Sequence, residues 1–259
     1  MSQPNIRCIG FCGVDDTVSS KLLILLSKHY PWVEWGLLFR SDLAGTGRYP
    51  TDQWVQSLLF TRDSLGVKMN LAAHLCRDRC QQIIEGDFNF IKHLAQQGFQ
   101  RMQINATAAN GVSVEAGRLS EYAGNIKAAA QSLGNVEFIF QYNTETTPIF
   151  ERLLTAGIPS NVSILYDASC GKGVAIQSFP SPTLHPSTRC GYAGGIGPNT
   201  IDTVLTAVSE VAKTAPFPVW IDMESSLRAS VGGNDEFSIN SVMACVEIAV
   251  KQHGFPEYL

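Results

Sequence analysis

Two short segments of this chain carry residue types suited to holding an anion. Gly194-Gly195 lets backbone N–H groups approach a ligand without side-chain obstruction, although such a pair also serves a tight turn that needs positive φ. Ser225-Ser226 adds N–H and hydroxyl donors. The spacing of His74, Cys76 and Cys80 raises the question of a metal. Such a site needs three or four converging nitrogen or sulfur ligands, and no second pair with ligand spacing accompanies them, so no metal is expected. Lys68 and Lys172 raise Schiff-base chemistry, which needs a desolvated amine. Lys68 falls early in an apolar run and Lys172 among glycines, and neither setting suggests one. The seven cysteines (Cys8, Cys12, Cys76, Cys80, Cys170, Cys190 and Cys245) include no CxxC and have no secretory context, so they read as reduced thiols.

The elements that must position these residues follow from composition and periodicity. The chain has 259 residues, 45% of them hydrophobic and 16% charged, with a formal net charge of −4. That content supports an ample core and excludes intrinsic disorder. Lys and Arg form no clusters, which argues against nucleic acid as a partner. No apolar run approaches the roughly 18 residues of a spanning helix, and the N-terminus lacks a basic region followed by an apolar one. A soluble cytoplasmic protein is expected, with no membrane partner.

Eight short runs read as strands: 6–11, 33–39, 67–73, 101–105, 137–141, 162–166, 190–193 and 219–222. Most look apolar and unalternating, as parallel strands covered on both faces do. Helical stripes lie between them. Ile201, Val204, Leu205, Val208 and Ala212 form one, and Ile239, Val242, Met243, Val246, Ala249 and Val250 another. Val18, Leu22, Leu25 and Leu26 suggest the first helix, and Thr147-Pro148 reads as an N-cap and first helical residue. Four prolines between Gly171 and Thr188 make the sixth crossover mostly loop. Eight strand–helix units in 259 residues average about 32 each, the size of a (β/α)₈ TIM barrel. No GxGxxG follows the first strand and no linker splits the chain. One barrel spanning residues 1–259 is therefore expected, in place of a doubly wound sheet.

In such a barrel the chemistry lies at the C-terminal ends of the strands, and the loops after strands seven and eight are the usual phosphate site. Polar residues concentrate there: Cys12, Arg48, His74, Arg77, Gln103, Asn105, Asn143, Asp167, Gly194, Asp222 and Ser225 all fall at or just beyond strand ends.

The chain resembles phosphoribosylanthranilate isomerase, the (β/α)₈ enzyme of tryptophan biosynthesis. Phe11-Cys12-Gly13 is similar to that family's ICG motif, and Gly36-Leu37-Leu38-Phe39 with Arg48-Tyr49 resembles its GFVF…SPRY segment. Met102-Gln103-Ile104-Asn105 resembles VQLHG, and Ile164-Leu165-Tyr166-Asp167 resembles the strand-six LLD. Ala193-Gly194-Gly195-Ile196-Gly197-Pro198-Asn199 is similar to LAGGLTPENV. Ile221-Asp222-Met223-Glu224-Ser225-Ser226, with Gly233-Asn234-Asp235, is similar to VDVSSGVE…GxKD. The likeness is collinear over nearly the whole chain, and only the AGG and DxxSS segments are individually specific. The chain departs from the pattern at Leu227-Arg228, at His74-Leu75-Cys76-Arg77, and at Cys170-Gly171-Lys172-Gly173, which follows Asp167 sooner than the family's GGTG does.

The resemblance implies an Amadori rearrangement of a phosphoribosyl amine without a cofactor. By position, Asp167 is the acid that protonates the ring oxygen and Cys12 the base that removes the C2 proton. Arg48, Gln103 and Asp222 bind substrate, and Gly171, Gly194, Gly195, Ser225 and Ser226 bind its phosphate, aided by Arg228. The chemistry needs the Asp167 carboxyl raised from about 3.9 and the Cys12 thiol lowered from about 8.5. Two alternatives stand beside this one. The first is a different sugar-phosphate isomerase or lyase on the same barrel. The second is a non-catalytic phosphosugar-binding barrel, for which Cys12 and Asp167 serve only as a buried small residue and a turn cap. The expected partner is a phosphorylated sugar, and the expected state a monomer or homodimer.

Overall fold

The computed structural model describes residues 5–167 and 178–258. Eight parallel strands close a barrel in chain order: β1 (Ile6–Cys12), β2 (Val33–Phe39), β3 (Asn70–Leu75), β4 (Arg101–Ile104), β5 (Glu137–Tyr142), β6 (Val162–Tyr166), β7 (Arg189–Ala193) and β8 (Val219–Met223). β8 pairs back onto β1 with Gly10 opposite Asp222, so no strand edge of the barrel is left open. The helices are α1 (Ser20–His29), α2 (Asp52–Ser64), α3 (Asp78–Ile84), α4 (Asn89–Gln96), α5 (Leu119–Ser132), α6 (Thr147–Ala156), α7 (Ile201–Ala212) and α8 (Ile239–His253). They alternate with the strands, α3 and α4 sharing the crossover from β3 to β4. This is the (β/α)₈ barrel expected from the strand count. In the described part of the sixth crossover, residues 178–188, there is a 3₁₀ turn at Pro182–Leu184 and no α-helix. No helix among the described residues is long and apolar enough to cross a membrane.

The strands alternate more strictly than their composition suggests. Ile9, Phe11, Trp35, Leu37, Leu71, Ala73, Met102, Ile104, Phe138 and Phe140 belong to one apolar layer shared with the helices. The residues between them belong to the barrel interior, where alternate strands fill a narrow space with side chains. There Cys8, Ile139, Leu165 and Trp220 pack together. Beside them Arg101 pairs with Glu34 at 2.5 Å, Arg7 with Glu137 at 2.5 Å, and Arg101 with Glu137 at 3.5 Å. The guanidinium groups of Arg7 and Arg101 lie 4.6 and 4.3 Å from the centre of the Trp220 ring, which supplies cation–π attraction to charges withdrawn from water.

Three local expectations are corrected. β3 begins at Asn70 rather than Val67, because the Val67 N–H closes the end of α2 onto Arg62 O at 3.2 Å while Asn70 opens the pairing with Glu34. This moves His74 from beyond the strand into it. In α1 the buried face is Leu23, Ile24, Leu26 and Ser27, leaving Leu22 and Leu25 36% and 52% exposed. The Ser27 hydroxyl accepts from Trp35 Nε1 at 2.8 Å, which fixes that phase. The N-cap of α6 is Thr146, one residue before the expected Thr147, with Pro148 still in the first turn. The chain also forms a hairpin that its pattern does not announce, β9 (Arg228–Val231) with β10 (Asn234–Phe237), standing between β8 and α8.

Candidate active site

The mouth of the barrel holds a cavity of about 230 Å³. Its floor and walls include His74, Gln103, Gln141, Asp167, Asp222 and Glu224, and its rim includes Arg48, Tyr49, Gly194, Gly195, Ser225 and Ser226. Nine of the ten residues expected at the site lie in described segments, and eight of those line this one cavity. Cys12 is the ninth and lies just behind the floor. Gly171, and Lys172 beside it, lie outside the described residues.

The two anion-directed loops are neighbours. Gly197 packs against Ser226 so closely that a Cβ built on it would lie 2.2 Å from the serine Cβ. Gly194 and Gly195 adopt φ of 112° and 62°, backbone that L side chains rarely take, so both positions call for glycine. Thr200 Oγ1 donates to Gly195 O at 2.9 Å and accepts from Gly197 N–H at 3.0 Å, which fixes the loop to the start of α7. After β8 the chain makes a 3₁₀ turn over Ser225–Leu227, closed by Leu227 N–H on Glu224 O at 2.9 Å. The amides of Ser225 and Ser226 precede that closing bond and have no acceptor within the turn.

At the floor, Cys12, His74 and Asp222 meet. The Cys12 thiol donates to Asp222 Oδ1 at 2.7 Å, and His74 Nε2 lies 3.3 Å from the sulfur. Two strand glycines clear the space for them. A Cβ on Gly36 would stand 2.3 Å from Cys12 Sγ and 2.9 Å from His74 Nε2, and one on Gly10 would stand 2.2 Å from Asp222 Oδ1. Burial dominates the electrostatics. It pushes the Asp222 carboxyl up to about 7, with the Cys12 and Arg101 contributions lowering it and the Glu34 and Glu224 charges raising it. Burial, reinforced by Asp222, drives the Cys12 thiol well above its ordinary value. Burial and the Arg101 charge bring His74 down to about 3, so its ring is neutral. Burial also raises Glu224. Across the cavity, Gln141 Nε2 donates to Asp167 Oδ2 at 2.6 Å. Gln103 Nε2 donates to Asn105 Oδ1 at 2.8 Å.

Three of the expected residues have partners that bear on their expected roles. A thiol that serves as a base has to be lowered, whereas Cys12 is raised and donates to Asp222, the carboxyl of this pair that faces the cavity. Arg48 does reach the rim, but its guanidinium is held by Glu224 at 3.1 Å and Asp235 at 3.4 Å. Arg228 makes its contacts outside the Gly194-Gly195 and Ser225-Ser226 loops. It is buried, pairing with Asp15 at 2.8 Å and donating to Gly13 O at 2.8 Å and Asp235 O at 2.9 Å, and so ties the β9–β10 hairpin to the loop after β1. Arg77 pairs with Asp42 away from the cavity, and Lys68 precedes β3 at the opposite end of the barrel.

Asn105, Asn110, Gln141 and Glu224 are cavity residues that the sequence pattern left without a role, and His74, considered there for a metal, joins them. A signal for two of them existed: Asn105 lies two from Gln103 and Glu224 two from Asp222, the period of one strand face.

No protein-family model matches the sequence, and no curated protein matches it. Among solved structures, a monomeric form of the dimeric phosphoribosylanthranilate isomerase from Thermotoga maritima superimposes with a TM-score of 0.57 at 11% identity, covering 95% of this chain and 100% of that one. The Ignisphaera aggregans GH53 catalytic domain gives 0.49 at 10% identity, covering 90% and 84%. A variant of NCR from Zymomonas mobilis gives 0.48 at 13% identity, covering 84% and 81%. At 11% identity the first of these shows a likeness of fold alone.

Proposed function

We propose that this chain is a sugar-phosphate isomerase of the phosphoribosylanthranilate isomerase type, acting on a phosphorylated aldosylamine. One observation carries the reading. The paired loops Gly194-Gly195 and Ser225-Ser226 share a cavity with two carboxylates, Asp167 and Asp222, that come from different strands. Backbone donors at the rim suit a phosphate. Carboxyl groups below it suit proton transfers at the sugar.

On this reading Asp167, steered by Gln141, gives a proton to the ring oxygen as the C1–O bond breaks, leaving an iminium at C1. Asp222 takes the C2 proton, and the C–H electron pair forms the C1=C2 bond of an enolamine. Ketonisation of that enolamine returns a proton to C1. A carboxyl near 7 is well matched to such a transfer at neutral pH. Cys12 holds Asp222 in place and shares its proton. The amides of Gln103, Asn105 and Asn110 line the rest of the cavity and suit a substituent that forms hydrogen bonds.

The test is turnover of phosphoribosylanthranilate, followed by the fluorescence of its anthranilate group, alongside open-chain aldose phosphates. Turnover of phosphoribosylanthranilate, cut by about 10²–10⁴-fold in kcat by Asp167→Asn with KM little changed, supports the reading, whereas turnover of an aldose phosphate alone overturns it in favour of a different sugar-phosphate isomerase. Binding of these compounds without turnover favours the phosphosugar-binding alternative, and near-wild-type turnover in the variant removes Asp167 from the reaction.

A further inference from the structure

The floor of the cavity brings a sulfur, an imidazole nitrogen and a carboxylate oxygen to within 4.8 Å of one another. The three residues come from β1, β3 and β8, so their convergence is a product of barrel closure and not of a local motif. It also requires glycine at two strand positions, Gly10 and Gly36, where any side chain would collide with the ligand atoms. Glycine in a strand interior weakens the strand, so clearance here comes at a cost in stability.

We propose that Cys12 Sγ, His74 Nε2 and an Asp222 carboxylate oxygen are the protein ligands of a divalent cation of the zinc type, whose fourth position opens into the cavity. The donor set decides the class of ion. Sulfur and nitrogen select Zn²⁺ or a similar borderline ion over Mg²⁺ and Ca²⁺, which take oxygen. Bonds of about 2.3 Å to sulfur and about 2.1 Å to nitrogen or oxygen set tetrahedral edges of roughly 3.4–3.6 Å. The Sγ–Oδ1 and Sγ–Nε2 separations are 2.7 and 3.3 Å, so these two edges open by less than about 1 Å to admit the ion, and the edge from Nε2 to the carboxylate lies within 4.8 Å. On binding, the Cys12 S–H bond breaks, its proton leaves to solvent, and the thiolate bonds to the cation. The charges of the thiolate and the Asp222 carboxylate then balance the cation.

Three protein ligands with an open fourth position is the arrangement of catalytic zinc, closed sites being structural. Here His74 and Asp222 face the cavity while Cys12 lies behind them. With the ion bound, Asp222 would be a ligand and not the free base of the ion-free reaction, and the ion would instead polarise a hydroxyl or carbonyl oxygen of the sugar. That consequence rests on the isomerase reading, whereas binding of the ion does not.

The test uses the full chain, stripped with a chelator and titrated with Zn²⁺ alone, then with Co²⁺ as a spectroscopic probe. The expected result is one Zn²⁺ per chain and a near-ultraviolet thiolate-to-cobalt charge-transfer band. Cys12→Ser and His74→Gln should each weaken binding at least tenfold, while Cys245→Ser, in α8, should bind as wild type. Should either site variant fail to fold, the wild-type cobalt spectrum decides alone. Absence of stoichiometric Zn²⁺ binding by the folded wild type overturns the proposal. So does a cobalt spectrum without the thiolate band, or unchanged binding in Cys12→Ser. Turnover without any zinc binding would refute the ion site and keep the isomerase, and zinc binding without turnover would do the reverse.

Discussion

Replacing Glu137 with Gln removes one charge from the ion lattice beneath the site and keeps the shape of the side chain. Glu137 accepts from Arg7 at 2.7 and 2.5 Å, and Arg101 lies 3.5 Å away. Burial by itself would raise this carboxyl, but the Arg101 and Arg7 charges overcome it and hold the pKa at about 2 against an ordinary 4.5. The side chain is only 14% exposed, so solvent screens little of that attraction. The difference, 4.5 − 2 = 2.5, at about 1.36 kcal/mol per pH unit, amounts to about 3 kcal/mol of folding stability. Breaking a buried pair costs about as much in general, roughly 3–5 kcal/mol. Because the folded pKa is depressed, the contribution is complete above the unfolded value and fades as pH falls through the folded one. Glu137→Gln should therefore be less stable than wild type by about 3 kcal/mol near pH 7, and by only about 1 kcal/mol near pH 3. Urea unfolding followed by tryptophan fluorescence measures both gaps, with Trp220 packed against the two guanidinium groups as a local reporter. A gap that does not change with pH, or one under about 1 kcal/mol at neutral pH, would refute the reasoning.

Three further outcomes follow from the geometry. Gly195→Val should weaken binding of inorganic phosphate or a sugar phosphate at least tenfold with circular dichroism unchanged, since valine resists the φ of 62° and its side chain fills the rim; unchanged affinity would remove the loop from the phosphate site. Gly36→Ala places a methyl group 2.3 Å from Cys12 Sγ and should cost about 1–3 kcal/mol by overpacking, read as a lower urea midpoint; an unshifted midpoint would show that the floor is not crowded. Arg228→Met removes the ion pair of Asp15 but leaves its hydrogen bonds from Thr17 and the Arg48 amide, and should cost roughly 1.5–3 kcal/mol in thermal unfolding; a loss below about 1 kcal/mol would mean that the hairpin is held by other contacts.

The sequence by itself determined the class of fold and most of its parts. Seven of the eight strands start within one residue of where short apolar runs place them, and the stripe Ile201, Val204, Leu205, Val208 and Ala212 is buried along α7. These are local properties, because the period of side-chain placement is a property of a single helix or strand. The rim of the site was legible for a related reason: in a barrel of parallel strands, the residues just past each strand end must share one face. β3 was misplaced because Val67 and Met69 are as apolar as a strand, while the Val67 N–H closes the end of α2 and the Met69 carbonyl accepts from Gln100 Nε2.

What only the tertiary structure decided is which polar side chains touch and what their contact does to them. Cys12 and His74 lie 62 positions apart, and Cys12 and Asp222 lie 210 apart. No periodicity relates residues at such separations. Their distance depends on the stagger of eight strands around a closed barrel, with Cys12 beside Gly36 and Gly10 beside Asp222. The protonation of Cys12, His74 and Asp222 depends in turn on that contact and on the loss of water around it, and neither exists until the barrel has closed.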